Sequence, residues 1–174
     1  MPEMDRYILR TERLILRPVT GSDLPDLHTI FVNPHVRKYL LDDTIMDEQW
    51  TQSIIDRSIL RFEKEKCGIW IMDYNNAKAG FVGMHTFHDP PELQLLYGLL
   101  PEYCGLGLAT EAASKVIDYC FELGHAKVLA STDEPNQNSE KVMQRLGMKF
   151  VKKESLSTGL TLFYEIYLDP HTGP

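Results

Sequence analysis

The stretch Leu93 to Thr110, "LQLLYGLLPEYCGLGLAT", decides the fold of this 174-residue chain. An apolar run stops at Pro101, two glycines flank a leucine, and the helical-looking "EAASKVIDYCFELG" follows, with Gly124 as its C-cap. The next segment, "AKVLAST", has strand character. Strand, turn, helix and strand make one crossover unit, which joins parallel neighbours. The turn also has chemical potential. The first N–H groups of a helix lack intrahelical partners, and the helix dipole adds positive potential there. Glycine at 105 and 107 removes the Cβ, so the backbone can take unusual φ angles and approach a ligand closely. Together these make an anion site built from backbone N–H groups, suited to a pyrophosphate. The Thr110 hydroxyl could add to it. No Lys or Arg lies in the loop, so the attraction would be mainly dipolar. The same glycines would also serve a bare strand-to-helix turn. A Walker loop is excluded for want of Gly-Lys-Ser/Thr, and a dinucleotide fingerprint for want of a third glycine.

Outward from this unit the pattern changes on both sides. Upstream, "RLILRPV" (Arg13 to Val19) alternates as a strand, and Leu24, Leu27 and Phe31 stand at helical spacing. The stretch from about Val32 to Met46 contains a proline and reads as irregular. From Asp47, a cap candidate, Trp50, Ile54, Ile55, Ile59 and Phe62 form the apolar stripe of a long helix. Two β-rich runs then meet at Tyr74-Asn75-Asn76-Ala77, a hairpin signature. Downstream, a short helix ends at Gly147, and a closing hairpin turns across Ser157-Thr158-Gly159. Hairpins bracketing a single crossover predict one α/β (mixed α+β) domain over residues 1–174. Its sheet would have about seven mostly antiparallel strands, one parallel pair, and helices on both faces.

Eighteen basic against twenty-five acidic residues give a net charge of −7, the wrong sign for a nucleic-acid backbone binder and mildly suited to a cationic substrate. Solubility alone also accounts for it. Three scattered cysteines, with no CxxC, suggest neither a disulfide framework nor a zinc site, and point to a reducing cytoplasm. His85 and His88 lie three apart on a strand, hence on opposite faces, and read as packing or surface residues rather than metal ligands. No metal site is expected, the first residues lack a signal-peptide core, and no apolar run approaches membrane-spanning length.

Four stretches resemble the GNAT superfamily of N-acetyltransferases, and within it the branch that includes ribosomal-protein N-terminal acetyltransferases. They are "TERLILRPVTGSDLPDL", "NPHVRKYL", "LLYGLLPEYCGLGLATEA" and "PNQNSEKVMQRLGMKF". The likeness runs from about Thr11 to Leu168. In the superfamily's loop pattern, Gln/Arg-x-x-Gly-x-Gly/Ala, the three defined positions fall on Cys104, Gly107 and Ala109. Cys104 is the departure. The resemblance implies a GNAT fold with a splayed parallel pair and acetyl-CoA as co-substrate. Gly98 and Leu99 would offer backbone to the pantetheine arm, Cys104 to Thr110 (including Gly105) would form the diphosphate loop, and Asn136 would contact the pantetheine.

Direct transfer of an acetyl group to an amine needs a neutral amine, a polarised carbonyl and a stabilised leaving thiolate. The resemblance makes Ser139 the general acid, although helix capping would use the same residue. The branch's strand carboxylate aligns with Gln94, and an amide cannot take a proton. Glu92, two residues earlier on the same face, is the substitute candidate. Tyr97 and Tyr103 read as packing residues. Arg37, Lys38, Asp42 and Asp43 could flank an acceptor pocket. The expectation is an acetyl-CoA-dependent N-acetyltransferase for a protein N-terminus or a small amine, with no nucleic-acid or membrane partner and with room for a homodimer. A non-catalytic acyl-CoA sensor is the alternative, and a nucleotide-dependent oxidoreductase a distant third.

Overall fold

A computed structural model of the chain describes residues 3–87 and 92–169. An eight-stranded sheet in the order β1-β2-β3-β4-β5-β6-β8-β7 forms its centre. The strands are β1 (Leu9–Arg10), β2 (Leu14–Pro18), β3 (Ile69–Tyr74), β4 (Ala77–Phe87), β5 (Glu92–Leu99), β6 (Lys127–Asp133), β7 (Lys149–Leu156) and β8 (Gly159–Tyr167). The helices are α1 (Leu24–Val32), α2 (Pro34–Leu40), α3 (Glu48–Glu65), α4 (Leu108–Glu122) and α5 (Gln137–Arg145). All neighbours are antiparallel except β5 and β6, joined through α4. This is the mostly antiparallel sheet with one parallel pair that the crossover predicts, as the fold implied by the resemblance also requires. Its eighth strand is the two-residue β1, too short for a period to show in the sequence.

The hairpin at Asn75-Asn76 turns on two residues with positive φ, 48° and 63°, as a two-residue connection between twisted strands requires. α3 begins where Asp47 Oδ1 accepts from the Trp50 N–H at 2.8 Å. The stretch expected to be irregular contains α2. Pro34 opens that helix at a position where no N–H is needed, and Asn33 caps it by accepting from the His35 N–H at 2.9 Å. The proline marked a helix start rather than a break.

Strand alternation divides the core between the two faces of the sheet. On one face Trp70, Met72, Val82, Leu95 and Leu99 pack with α4 and Met143 of α5. On the other Ile69, Ile71, Phe81 and Leu96 pack with Leu27, Phe31 and Ile55 of α1 and α3. The site described next lies where the sheet opens between these two packed layers.

Candidate active site

Gly105 and Gly107 take φ of 78° and 79°, values that side chains disfavour, so the sequence places glycine where the turn needs it. Leu108 starts α4, and the Glu111 N–H donates to Gly107 O at 3.1 Å. Among the described residues no acceptor takes the N–H groups of Leu106, Gly107, Leu108, Ala109 or Thr110. Gly105, Leu106 and Gly107 are exposed, so the tip of the turn is open to solvent. Five unpaired donors at a helix N-terminus fit a diphosphate. The Thr110 hydroxyl is buried with no partner among the described residues, and Cys104 Sγ lies 3.3 Å from His35 Nε2.

The loop is fastened from behind by a cation that its own sequence lacks. Arg13, ahead of β2, donates from Nη1 to Leu106 O at 2.9 Å and from Nε to Glu111 Oε2 at 2.7 Å. The Arg13 N–H and Thr11 Oγ1 both donate to Glu111 Oε1, at 2.9 and 2.6 Å. Burial alone would raise the Glu111 pKa, but these bonds outweigh it and hold the carboxyl below its ordinary value. With the Leu106 carbonyl taken by Arg13, the turn is tied to the start of β2. Sequence reasoning missed Arg13 because it lies 93 residues from the carbonyl it binds.

β5 and β6 share one bridge, Gln94 with Leu129, and then part. The result is a wedge open toward their C-terminal ends. Leu100 N–H donates to Ala79 O, so by strict alternation the backbone groups of Tyr97 and Leu99 point into the wedge while those of Gly98 point to Phe81 on β4. A Cβ at Gly98 would meet the Phe81 ring at 2.7 Å, which explains the glycine. On the α4 face of the wedge Asn136 caps α5 by accepting the Ser139 N–H at 3.3 Å. The Ser139 hydroxyl does not cap. It lies 2.9 Å from Tyr97 Oη, which is also 3.1 Å from Ser139 O. Tyr97, expected only to pack, thus forms a polar contact across the wedge. Tyr103 does pack, its ring centroid 6.1 Å from that of Tyr74.

On the opposite face Gln94 sits at the closed end of the wedge and is 1% exposed. Its Oε1 accepts from Ser131 Oγ at 2.7 Å, and its Nε2 has no partner among the described residues. His85 faces Gln94 across the β4–β5 ladder and packs on Phe87. Burial, then Arg61 and Arg57, lower its pKa, which favours the neutral ring. Glu92 is exposed at the start of β5, beyond the closed end. His88 lies outside the described residues. At the open end a cavity of about 450 Å³ is lined by Lys38 of α2 and Asp42 and Asp43 after it, and by Asp133 at the end of β6 and Glu134. Asp43 pairs with Arg37 and Glu134 with Lys153, while Asp42 and Asp133 have no ion pair among the described residues. Burial first, then the neighbouring Asp42 charge, raise the Asp133 pKa.

Comparison with known proteins supplies the family. Residues 13–149 match the model of the acetyltransferase (GNAT) domain. An uncharacterized N-acetyltransferase, YoaA, of Bacillus subtilis is 29% identical over 147 residues, covering 82% of each chain. The spermidine N(1)-acetyltransferase of Escherichia coli K12 is 28% identical over 141 residues, 76% of this chain and 70% of that one. A ribosomal alpha-N-protein acetyltransferase solved with coenzyme A has the same fold, with a TM-score of 0.78 at 15% identity over 93% of this chain and 98% of that one. The unpaired cradle, the splayed strands and the match over most of the length agree: the chain belongs to the GNAT acetyltransferase family and uses acetyl-CoA as co-substrate.

Proposed function

We propose that the protein transfers the acetyl group of acetyl-CoA directly to a primary amine, with the cofactor on the α4 face of the wedge and the acceptor entering from the α2 face. The run of unpaired N–H groups from Leu106 to Thr110, open beside a wedge, carries this reading. In it Cys104 to Thr110 hold the diphosphate, with Gly105 and Gly107 giving the close approach. The backbone of Leu99, with that of Tyr97, borders the pantetheine arm in place of the expected Gly98, whose backbone groups are turned to Phe81 on β4, and Asn136 contacts the arm from the start of α5. The amine nitrogen attacks the acetyl carbon, the C–S bond breaks with its electron pair left on sulfur, and Ser139 lies toward that sulfur. The amine's proton leaves through solvent. Glu92, outside the closed end, can assist only through water. An α-amine, with a pKa of roughly 7.7–8.0, is already partly neutral and needs little base, whereas a polyamine's alkyl amine, nearer the lysine value of roughly 10.4, must first give up its proton to solvent.

Asp42 and Asp133, unpaired at the mouth, favour a cationic amine over an anionic one. The spermidine N(1)-acetyltransferase relative is consistent with that preference. The proposed acceptor is therefore a small polyamine-like amine or a basic N-terminal peptide. Thiol release from acetyl-CoA over a panel of polyamines, peptide N-termini and neutral amines tests this. Turnover with cationic amines is expected. Coenzyme A binding with no thiol release across the panel would instead favour the sensor reading that Gln94, in the place of a carboxylate, keeps open.

A further inference from the structure

β5 and β6 part beyond Gln94, and a thioester lying in the opening must pass between β5 and the start of α5. One side-chain contact already spans that gap. Tyr97, on the α4 face of β5, reaches Ser139 in the first turn of α5 at 2.9 Å. The Asn136 cap frees the Ser139 hydroxyl for this contact, while Tyr97 Oη also reaches Ser139 O at 3.1 Å. Asn136 rather than Ser139 caps the helix, and Ser139 Oγ has no partner besides Tyr97 among the described residues. We propose that Tyr97 is a positioning residue for thioester cleavage. It donates to Ser139 Oγ and so turns the Ser139 hydroxyl hydrogen toward the departing sulfur.

This inference rests on the transferase reading and adds to it which group directs the leaving-group donor. The geometry limits the alternatives. A phenol has one hydrogen. Ser139 Oγ at 2.9 Å and Ser139 O at 3.1 Å compete for it; given to the nearer Oγ, as the proposal requires, it leaves the serine hydrogen without an acceptor in Tyr97 and available to the sulfur. Burial pushes the Tyr97 pKa up to about 12, partly offset by the bond to Ser139, so the phenol remains a donor across the physiological range. Charge balances without either residue losing its proton. The new N–C bond takes the nitrogen lone pair, the C–S bond leaves its pair on sulfur, and the proton lost by nitrogen ends on sulfur or in solvent. Ser139 stabilises the sulfur charge while it exists, as a donor placed where charge develops does in other transfers. Met143, one turn further along α5, is buried in the core and offers no donor.

The test needs no acceptor. Coenzyme A bound to the protein carries a free thiol, and a hydrogen bond donated to its thiolate lowers that thiol's pKa. Wild type, Tyr97→Phe, Ser139→Ala and the double variant are each saturated with coenzyme A, with affinity set by calorimetry. Thiolate formation is then followed against pH by ultraviolet difference absorbance. In wild type the bound thiol should titrate about one pH unit below free coenzyme A. Tyr97→Phe should return it most of the way, Ser139→Ala as far, and the double variant no further, while coenzyme A affinity stays within about threefold. An unchanged bound-thiol pKa in Tyr97→Phe would overturn the inference while leaving the cradle intact. A Tyr97→Phe shift that adds to that of Ser139→Ala would show that the tyrosine does not act through the serine. Failure of wild type to bind coenzyme A would remove both this inference and the transferase reading.

Discussion

Gly107 and Glu111 act on the same loop for different reasons. Gly107 takes φ of 79°, and the nearest atom to a Cβ there would be Arg13 Nη2 at 3.6 Å, an ordinary contact. Space is therefore not the constraint; backbone conformation is. A β-branched residue resists the left-handed region by roughly 1–2 kcal/mol, so Gly107→Val should swing the turn and its donors away. Coenzyme A affinity is expected to fall at least about tenfold by calorimetry, with urea unfolding shifted only by that modest strain. Equal affinity in the folded variant would count against the cradle. Glu111 contributes through charge. Its folded-state pKa is depressed, so its stabilisation is complete above the unfolded value of roughly 4.3 and is lost as pH falls through the lower folded value. Tm against pH should drop more steeply for wild type than for Glu111→Gln across that acid window. Parallel curves would show that the Arg13 contact carries no such linkage.

At the scale of elements, the site depends on β5 being held tightly on one side and released on the other. Toward β4 the contact is close: a Cβ on Gly80 would lie 2.1 Å from Gly98 O, a backbone atom with no freedom to move aside. Gly80→Ala should therefore push β4 and β5 apart and lower stability by roughly 1–3 kcal/mol in urea unfolding. A loss of only a few tenths would show that the ladder can yield there. Toward β6 one bridge at Gln94 closes the wedge, and beyond it the strands are free to admit a ligand. α2 and the β7–β8 turn border the mouth, where Asp42 and Asp133 stand unpaired. If these two carboxylates select the acceptor, Asp133→Asn should raise KM for a polyamine several-fold and leave that for a neutral amine unchanged. Equal effects on both amines would place the acceptor elsewhere.

Across the whole molecule, two packed layers pin the sheet on either face, and the unpinned strip between β5 and β6 is left for chemistry. That architecture was largely legible from the chain. Hairpin signals at Asn75-Asn76 and Ser157 to Gly159 fixed the antiparallel neighbours, and a single crossover marked the one parallel pair. The turn at Gly105 and Gly107 was legible because glycine is the residue a positive φ demands. Three features were not. α2 was hidden because Pro34 reads as a breaker until Asn33 is seen to cap the helix behind it. Arg13 and Glu111 meet only through the fold, and no local pattern joins residues 98 apart. Tyr97 read as packing because an aromatic in an apolar run usually is; its phenol finds Ser139 only once α5 is laid beside β5. The account turns on main-chain donors gripping a diphosphate, and backbone amide NMR during titration with coenzyme A tests that most directly. The amide protons of Leu106 to Thr110 should move downfield together and saturate with the calorimetric Kd, whereas pantetheine, which lacks the diphosphate, should leave them in place. Saturable coenzyme A binding with those five resonances unmoved would contradict it.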